Sequence, residues 1–224
     1  MIYLAIDKLE PDTASTNHFL AIVKRFRERK ISFQLVSFLP NSRRVQETYE
    51  YDYINVAIDC PLSNKTMRRV WNKLYEKTLY RKRLASFANS LTKWDSIFIY
   101  GEYHCLEDFI NSETHLFLEY TEHPSMHDFT FKDDSERKSF FANVTKANGL
   151  FVISTALKDY YQSIGTPSES ISILNMIVDS TRFDGVEKQP TEHPYVAYCG
   201  TASNNKDGVD RLLKAFSLIK NEFP

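Results

Sequence analysis

Short apolar runs of strand length alternate with stretches of helical period along most of this chain, and that alternation limits the fold more than any other feature. Ile2–Ile6 is one such run. Phe19, Ile22, Val23 and Phe26 then recur at i, i+3, i+4 and i+7, the spacing of one helix face, up to about Lys30. Residues 31–39 and 53–58 read as strands. Asn64 stands where it can cap a long helix carrying Trp71, Leu74, Tyr75, Leu79, Phe87 and Leu91. Ser96–Tyr100 reads as a buried strand, followed by a short helix over 105–110 and a strand over 114–120. A helix over about 134–146 leads to a strand at 149–153. A further helix, 155–164, is closed by Gly165, and a strand follows at 171–174. Such alternation buries both kinds of apolar face when helices cover the two sides of a parallel sheet. The expected fold class is therefore α/β, a Rossmann-like parallel sheet with helices on both faces. Ligands of such sheets gather at the C-terminal ends of the strands. The loops after Ile6, Tyr100, Tyr120 and Ile153 are the places to look.

The pattern changes near residue 186. Residues 186–194 carry Pro190 and Pro194 among polar residues and few apolar ones, the composition of an interdomain linker. A new strand-like run, 195–199, then leads through a glycine turn to a helical period with Leu212, Leu213, Phe216 and Ile219. One strand and one helix cannot bury their own apolar faces. The expected division is a first domain over 1–185, the linker 186–194, and at 195–224 the first strand and helix of a second, truncated Rossmann-like domain. The apolar face of that unit is expected to pack on the first domain, to self-associate or to be disordered.

With 224 residues and 42% hydrophobic content, the chain can bury a sizeable core. Its formal net charge of −1 argues against a bulk nucleic-acid binder. The charge is unevenly spread. Residues 1–100 hold 17 Lys/Arg against 10 Asp/Glu, and the rest hold 11 against 19. The run 65–83 has eight Lys/Arg and one Glu. It reads as a solvated helix face, or as a dock for anionic lipid or a phosphorylated acceptor carrier. The amino terminus lacks a signal-peptide pattern, and no stretch approaches the ~18 apolar residues of a membrane span. The three cysteines, Cys60, Cys105 and Cys199, form no paired spacing. A cytoplasmic protein is expected, with any membrane contact peripheral, at the inner face.

Glycine placement narrows the chemistry. The six glycines lie at 101, 149, 165, 185, 200 and 208, none in the first strand–helix turn. A dinucleotide fingerprint there, and a P-loop anywhere, are excluded. This disfavours a nucleotide-dependent oxidoreductase. The turn at Gly200 follows a strand-like run, opens a helical period and contains Lys206. Helix-terminal amides with one ammonium suit a diphosphate, although a plain strand–helix turn with an exposed lysine has the same pattern.

Several phrases together resemble the domain junction of glycosyltransferase family 4. They are Gly149-Leu150-Phe151-Val152-Ile153-Ser154, then Ile171-Ser172-Ile173-Leu174-Asn175-Met176-Ile177-Val178-Asp179 with Arg182-Phe183, then Tyr198-Cys199-Gly200-Thr201-Ala202-Ser203-Asn204-Asn205-Lys206-Asp207-Gly208. The resemblance covers 149–219; the first hundred residues match only in strand–helix pattern. It implies the GT-B fold and transfer of a sugar from a nucleotide-sugar donor to a saccharide or glycoconjugate acceptor, with retention, in polysaccharide assembly. It implies an acceptor-side first domain and a donor-binding second one. Lys206 would bind the donor diphosphate and stabilise the leaving group, with Gly200, Thr201 and Asp207 beside it. His123, after the strand ending at Tyr120, would contact and orient the transferred sugar. Glu122, Ser154 and Asn175 would face the cleft, and Asp179 would belong to the interdomain hinge. Thr201 departs from the family, which often has a basic residue there. The first loop departs too, having no glycine. The family's paired glutamates come later than Pro224, so these residues alone are expected to be inactive. The donor is a substrate, so no cofactor and no metal are expected. A set of His123, His127, Glu119, Glu122 and Asp128 lacks the H-E-x-x-H metal spacing. The alternative reading is a non-catalytic α/β binding or regulatory module.

Overall fold

The computed structural model describes residues 1–10, 13–39, 52–56, 64–101, 106–125, 131, 133–187, 195–200 and 208–219. The chain divides into two compact units, Met1–Asp179 and Ser180–Pro224.

The first unit is a seven-stranded sheet in which every pairing is parallel. Its strands are β1 (Ile2–Ile6), β2 (Gln34–Ser37), β3 (Tyr53–Asn55), β4 (Ser96–Tyr100), β5 (His115–Tyr120), β6 (Gly149–Val152) and β7 (Ile171–Ile173). The order across the sheet is β3-β2-β1-β4-β5-β6-β7. The chain winds outward from β1 in one direction, then returns to place β4 on its other side. This reversal makes the β1–β4 seam the topological switch point.

Alternate residues of the strands feed two apolar cores, as the pleat requires. Leu4, Ile6, Leu35 and Tyr100 pack with Phe19 and Val23 of helix α1 (Ala14–Glu28). Ala5, Val36, Ile97, Ile99, Leu116, Leu118, Leu150 and Val152 line the opposite face. That face is covered by α3 (Tyr80–Ser90), α4 (Leu106–Asn111), α5 (Asp134–Val144) and α6 (Thr155–Ser163), through Leu84, Phe109, Phe140 and Tyr161. Helices therefore lie on both faces of the sheet, as the alternation predicts. Gly149 is needed where β6 opens beside β5, because a Cβ there would meet the Phe117 ring at 2.7 Å.

Caps explain the helix starts. The Thr13 hydroxyl accepts from the Thr16 amide, Asp133 from Glu136, and Ser154 from Leu157. Asn64 accepts from the amides of Thr66 and Met67 at 2.9 and 3.3 Å, as expected. The long helix expected after it is two helices, α2 (Lys65–Thr78) and α3, broken at Leu79. The break lets Tyr80, Leu84 and Ala88 turn into the core while Met67, Val70 and Leu74 of α2 stay exposed.

The second unit has a short 3₁₀ turn, Ser180–Phe183, and helix α7 (Val209–Ile219). Residues 195–199, expected as a strand, form none. A strand exists only as part of a ladder, and this segment has no pairing partner among the described residues. Gly208 takes φ +62° and its carbonyl accepts from Arg211 and Leu212, opening α7. No helix among the described residues is long and apolar enough to cross a membrane.

Candidate functional site

Strand register builds the site. Ile6, Tyr100 and Glu119 are partners across β1, β4 and β5, so they form one row near the C-terminal ends. Phe151 of β6 continues the row. All face α1. Three of these positions hold apolar or aromatic side chains, and Glu119 puts a carboxyl into the same buried layer, with its side chain 0% exposed.

What meets it is His18, on the inner face of α1 and 1% exposed. The Ile177 amide, from the segment after β7, donates to His18 Nδ1 at 2.9 Å. Nδ1 is thus an acceptor, and the ring proton sits on Nε2. That nitrogen donates to Glu119 Oε1 at 2.6 Å. The imidazole is fixed by both nitrogens and also lies 5.5 Å from the Tyr100 ring. Helix, sheet and the chain after β7 are tied through one side chain. A second tie lies nearby, where Lys24 of α1 pairs with Asp179 at 2.8 Å.

Over this row, at the switch point, opens a cavity of about 320 Å³. Asp7, Lys8, Glu10 and Ser15 line it from the first loop and α1. Tyr100, Gly101, Glu119, Thr121 and Glu122 complete it from β4, β5 and the loop after β5. Lys8 pairs with Glu10. Gly101 takes φ +85°, and a Cβ on it would sit 3.3 Å from Asp7 Oδ2, so glycine lets the ends of β1 and β4 approach. Burial pushes the Tyr100 phenol above its ordinary value. A hydrogen bond from Thr121 opposes this, and the negative charges of Glu119, Glu122 and Asp7 add to it. Among the described residues, no group of three His, Cys, Asp or Glu is placed to hold a metal ion.

A larger groove of about 680 Å³ runs over α3, α4 and α5, past Arg81, Asp108, Glu136 and Phe140. No strand residue is among the described residues that line it. Arg81 and Glu136 pair across it at 3.3 Å. Ligand sites of open parallel sheets lie at strand ends, so the smaller cavity is the candidate.

The residues expected from sequence fall in several places. Glu122 lines the cavity. His123 is next in the chain but exposed. Its Nδ1 accepts from the Ser125 amide at 3.2 Å and lies 2.7 Å from the Ser125 hydroxyl. Its ring stands edge-on to Tyr160 of α6, with centroids 4.3 Å apart. Ser154 caps α6, accepting from the Leu157 amide at 3.3 Å. Asn175 is exposed after β7. Asp179 closes the first unit in its pair with Lys24. Gly200 lies in the second unit, where a Cβ would run into the Tyr198 ring. Thr201, Lys206 and Asp207 lie outside the described residues, as do His127 and Asp128. Sequence reasoning missed His18 and the role of Glu119 beside it. The available signals were a histidine on the apolar face of a helix and a carboxyl closing an apolar strand.

No protein-family model matches the chain, and no curated protein does. Among solved structures it is similar to HepE of Anabaena in complex with UDP and glucose. The identity is 13% and the TM-score 0.53, over 81% of this chain and 46% of that one. A glycosyltransferase from Rickettsia africae aligns with 12% identity and TM-score 0.49, over 100% of this chain and 50% of that one. A UDP-GlcNAc 2-epimerase from Methanocaldococcus jannaschii aligns with 11% identity and TM-score 0.48, over 77% and 45%. The likeness is one of fold. By its sheet and its likeness to HepE, the chain has the Rossmann-like α/β architecture of GT-B proteins. It spans about half the length of each of the three structures.

Proposed function

We propose that the chain is the acceptor-side part of a retaining glycosyltransferase, of family 4, that transfers a sugar from a nucleotide-sugar donor to a saccharide or glycoconjugate acceptor in polysaccharide assembly. One observation carries this reading. The sheet places its cavity at the β1–β4 switch point, and its fold is similar to that of HepE, whose structure holds UDP and glucose. The Gly200–Lys206 phrase supports it as a diphosphate site on the donor side.

In the proposed reaction the bond from the sugar's anomeric carbon to the donor phosphate breaks, and the nucleoside diphosphate leaves with the electron pair. An acceptor hydroxyl bonds to that carbon from the same face, and its proton passes to the departing phosphate oxygen. Charge builds on the diphosphate, where Lys206 and helix amides would neutralise it. His123 would contact and orient the sugar, and Glu122 would face the acceptor. The reading uses no metal and no other cofactor. Exposed Met67, Val70 and Leu74, with Arg69 and Lys73 on α2, support a peripheral membrane contact at the inner, cytoplasmic face.

The test is release of UDP from UDP-glucose by the full-length protein with saccharide acceptors. Lys206→Ala should lower turnover about 100-fold, the scale of one lost charge-stabilising donor. Unchanged turnover in that variant, or no nucleotide-sugar binding by the parent protein, overturns the proposal.

A further inference from the structure

We propose that the switch-point cavity receives the hydroxyl groups of a saccharide free of phosphate and carboxylate, with Glu119 as its fixed hydrogen-bond acceptor and His18 as the residue that positions it. This rests on the reading of the chain as the acceptor side of a glycosyltransferase, and names the class of acceptor that the site takes.

The first observation is an oxygen. Glu119 Oε1 is committed to His18. Oε2 is buried, belongs to a residue on the cavity wall, and has no hydrogen-bond partner among the described residues. Buried polar atoms are nearly always satisfied, so an unsatisfied one on a residue of the cavity wall marks a place for a donor. His18 cannot turn away to relieve it, because its other nitrogen is held by the Ile177 amide. Oε2 is therefore a preorganised acceptor.

The second observation is charge. Among the described residues, the wall carries four carboxyl groups, on Asp7, Glu10, Glu119 and Glu122, against one ammonium, that of Lys8, which pairs with Glu10. After burial, the charges of Glu119, Glu122 and Asp7 push the Tyr100 phenol above its ordinary value. A phosphate or carboxylate entering here meets like charge at short range. Sugar hydroxyls donate to carboxyl oxygens and accept from hydroxyl donors, which Ser15 and Tyr100 provide on the wall. No three His, Cys, Asp or Glu side chains among the described residues are placed to hold a metal ion. A volume of about 320 Å³ is at the small end of ligand pockets and suits one sugar ring. The basic segment over 65–83 suggested a phosphorylated acceptor; the cavity wall argues for a different chemistry.

The experiment is a titration of the 224-residue chain followed through its amide NMR signals. The probes are methyl glycosides of glucose, galactose, mannose and N-acetylglucosamine, compared with glucose 6-phosphate and glucuronate. At least one neutral glycoside should shift the Gly101 and Thr121 amides, and the anionic sugars should bind at least tenfold more weakly. Glu119→Gln turns an amide donor toward the cavity and should weaken the glycoside about tenfold, the worth of one charge-assisted hydrogen bond. Ser15→Trp fills the rim without touching the buried pair and should abolish the shifts. His18→Gln, which keeps one donor and one acceptor, should retain the binding that His18→Leu loses. The proposal fails if no neutral glycoside shifts these amides, or if an anionic sugar binds as tightly. It also fails if binding survives both Glu119→Gln and Ser15→Trp. No donor nucleotide is present in these titrations. Glycoside binding without any sugar transfer would sink only the transferase reading. Sugar transfer confined to phosphorylated or uronate acceptors would sink only this inference.

Discussion

At the N-terminal ends of the strands, polar groups satisfy one another. Asp95 accepts from the Met1 amino group at 2.8 Å with one oxygen, and from the Thr92 amide and hydroxyl at 2.9 and 2.8 Å with the other. Its carbonyl takes the Thr114 hydroxyl at 2.9 Å, and Asn148 takes the Leu116 amide at 2.8 Å. At the C-terminal ends of β1, β4 and β5 the pattern is the reverse. Carboxyl groups of Asp7, Glu119 and Glu122 gather around a cavity, where burial first and then their charges raise the Tyr100 phenol, and one buried oxygen of Glu119 has no partner among the described residues. Gathered like charge and an unmet acceptor both lower stability. One end of the sheet satisfies its polar groups internally, and the other leaves polar capacity beside a cavity.

The contrast is open to direct tests. The largest effect is expected at the ligand end. His18→Leu leaves the Glu119 carboxyl buried with no donor and should cost about 3 kcal/mol in denaturant unfolding. Adding Glu119→Leu should restore most of that, since the double variant buries no lone carboxyl. A single variant as stable as the parent would remove the special standing of this pair. A smaller loss, about 1 kcal/mol, is expected for Asp95→Asn at neutral pH. The amino terminus, then the Thr92 amide, hold the Asp95 carboxyl below its ordinary value. A depressed carboxyl contributes its stability above the unfolded value of about 4 and loses it as pH falls through the folded one. Parent and variant should therefore converge in acid; a gap that persists would place the effect elsewhere. The smallest effect is spectroscopic. Tyr100 should titrate above the ordinary phenol range of about pH 10 in ultraviolet difference spectra, and Glu122→Gln should bring it down. Because its folded value is raised, its contribution is present below the unfolded value and is lost as pH rises through the folded one. An unchanged titration in Glu122→Gln would separate Glu122 from the acidic wall.

Much of the fold was legible in the sequence, and the exceptions have physical causes. Ile2–Ile6 and Ser96–Tyr100 appear with the expected bounds, because central strands buried on both faces read as uninterrupted apolar runs. Toward the β3 edge the ladders are shorter than the apolar runs. Residues 31–39 narrow to Gln34–Ser37, and 53–58 shows Tyr53–Asn55. The helix after Asn64 breaks at Leu79, where periodicity on both sides concealed a change of face. Of the candidate site, residues at three of the loops named from the sequence, after Ile6, Tyr100 and Tyr120, line the cavity, Glu122 among them, while none from the fourth, after Ile153, is among its lining residues. His18 was not found, since nothing local distinguishes a histidine that fills a core from one that holds a distant carboxyl.

By itself, the sequence determined the class of fold, because hydrophobic period is a local property that each segment carries in its own few residues. It also determined where helices start, through side chains such as Asn64, Thr13 and Asp133 that cap the backbone next to them. Only the tertiary structure decided the strand order, with its reversal between β1 and β4, and hence which loops share a cavity. It alone brought His18 to Glu119, 101 residues away, and to the Ile177 amide, 159 residues away. Contacts at that separation depend on how every intervening element crosses and packs, and no local period records it.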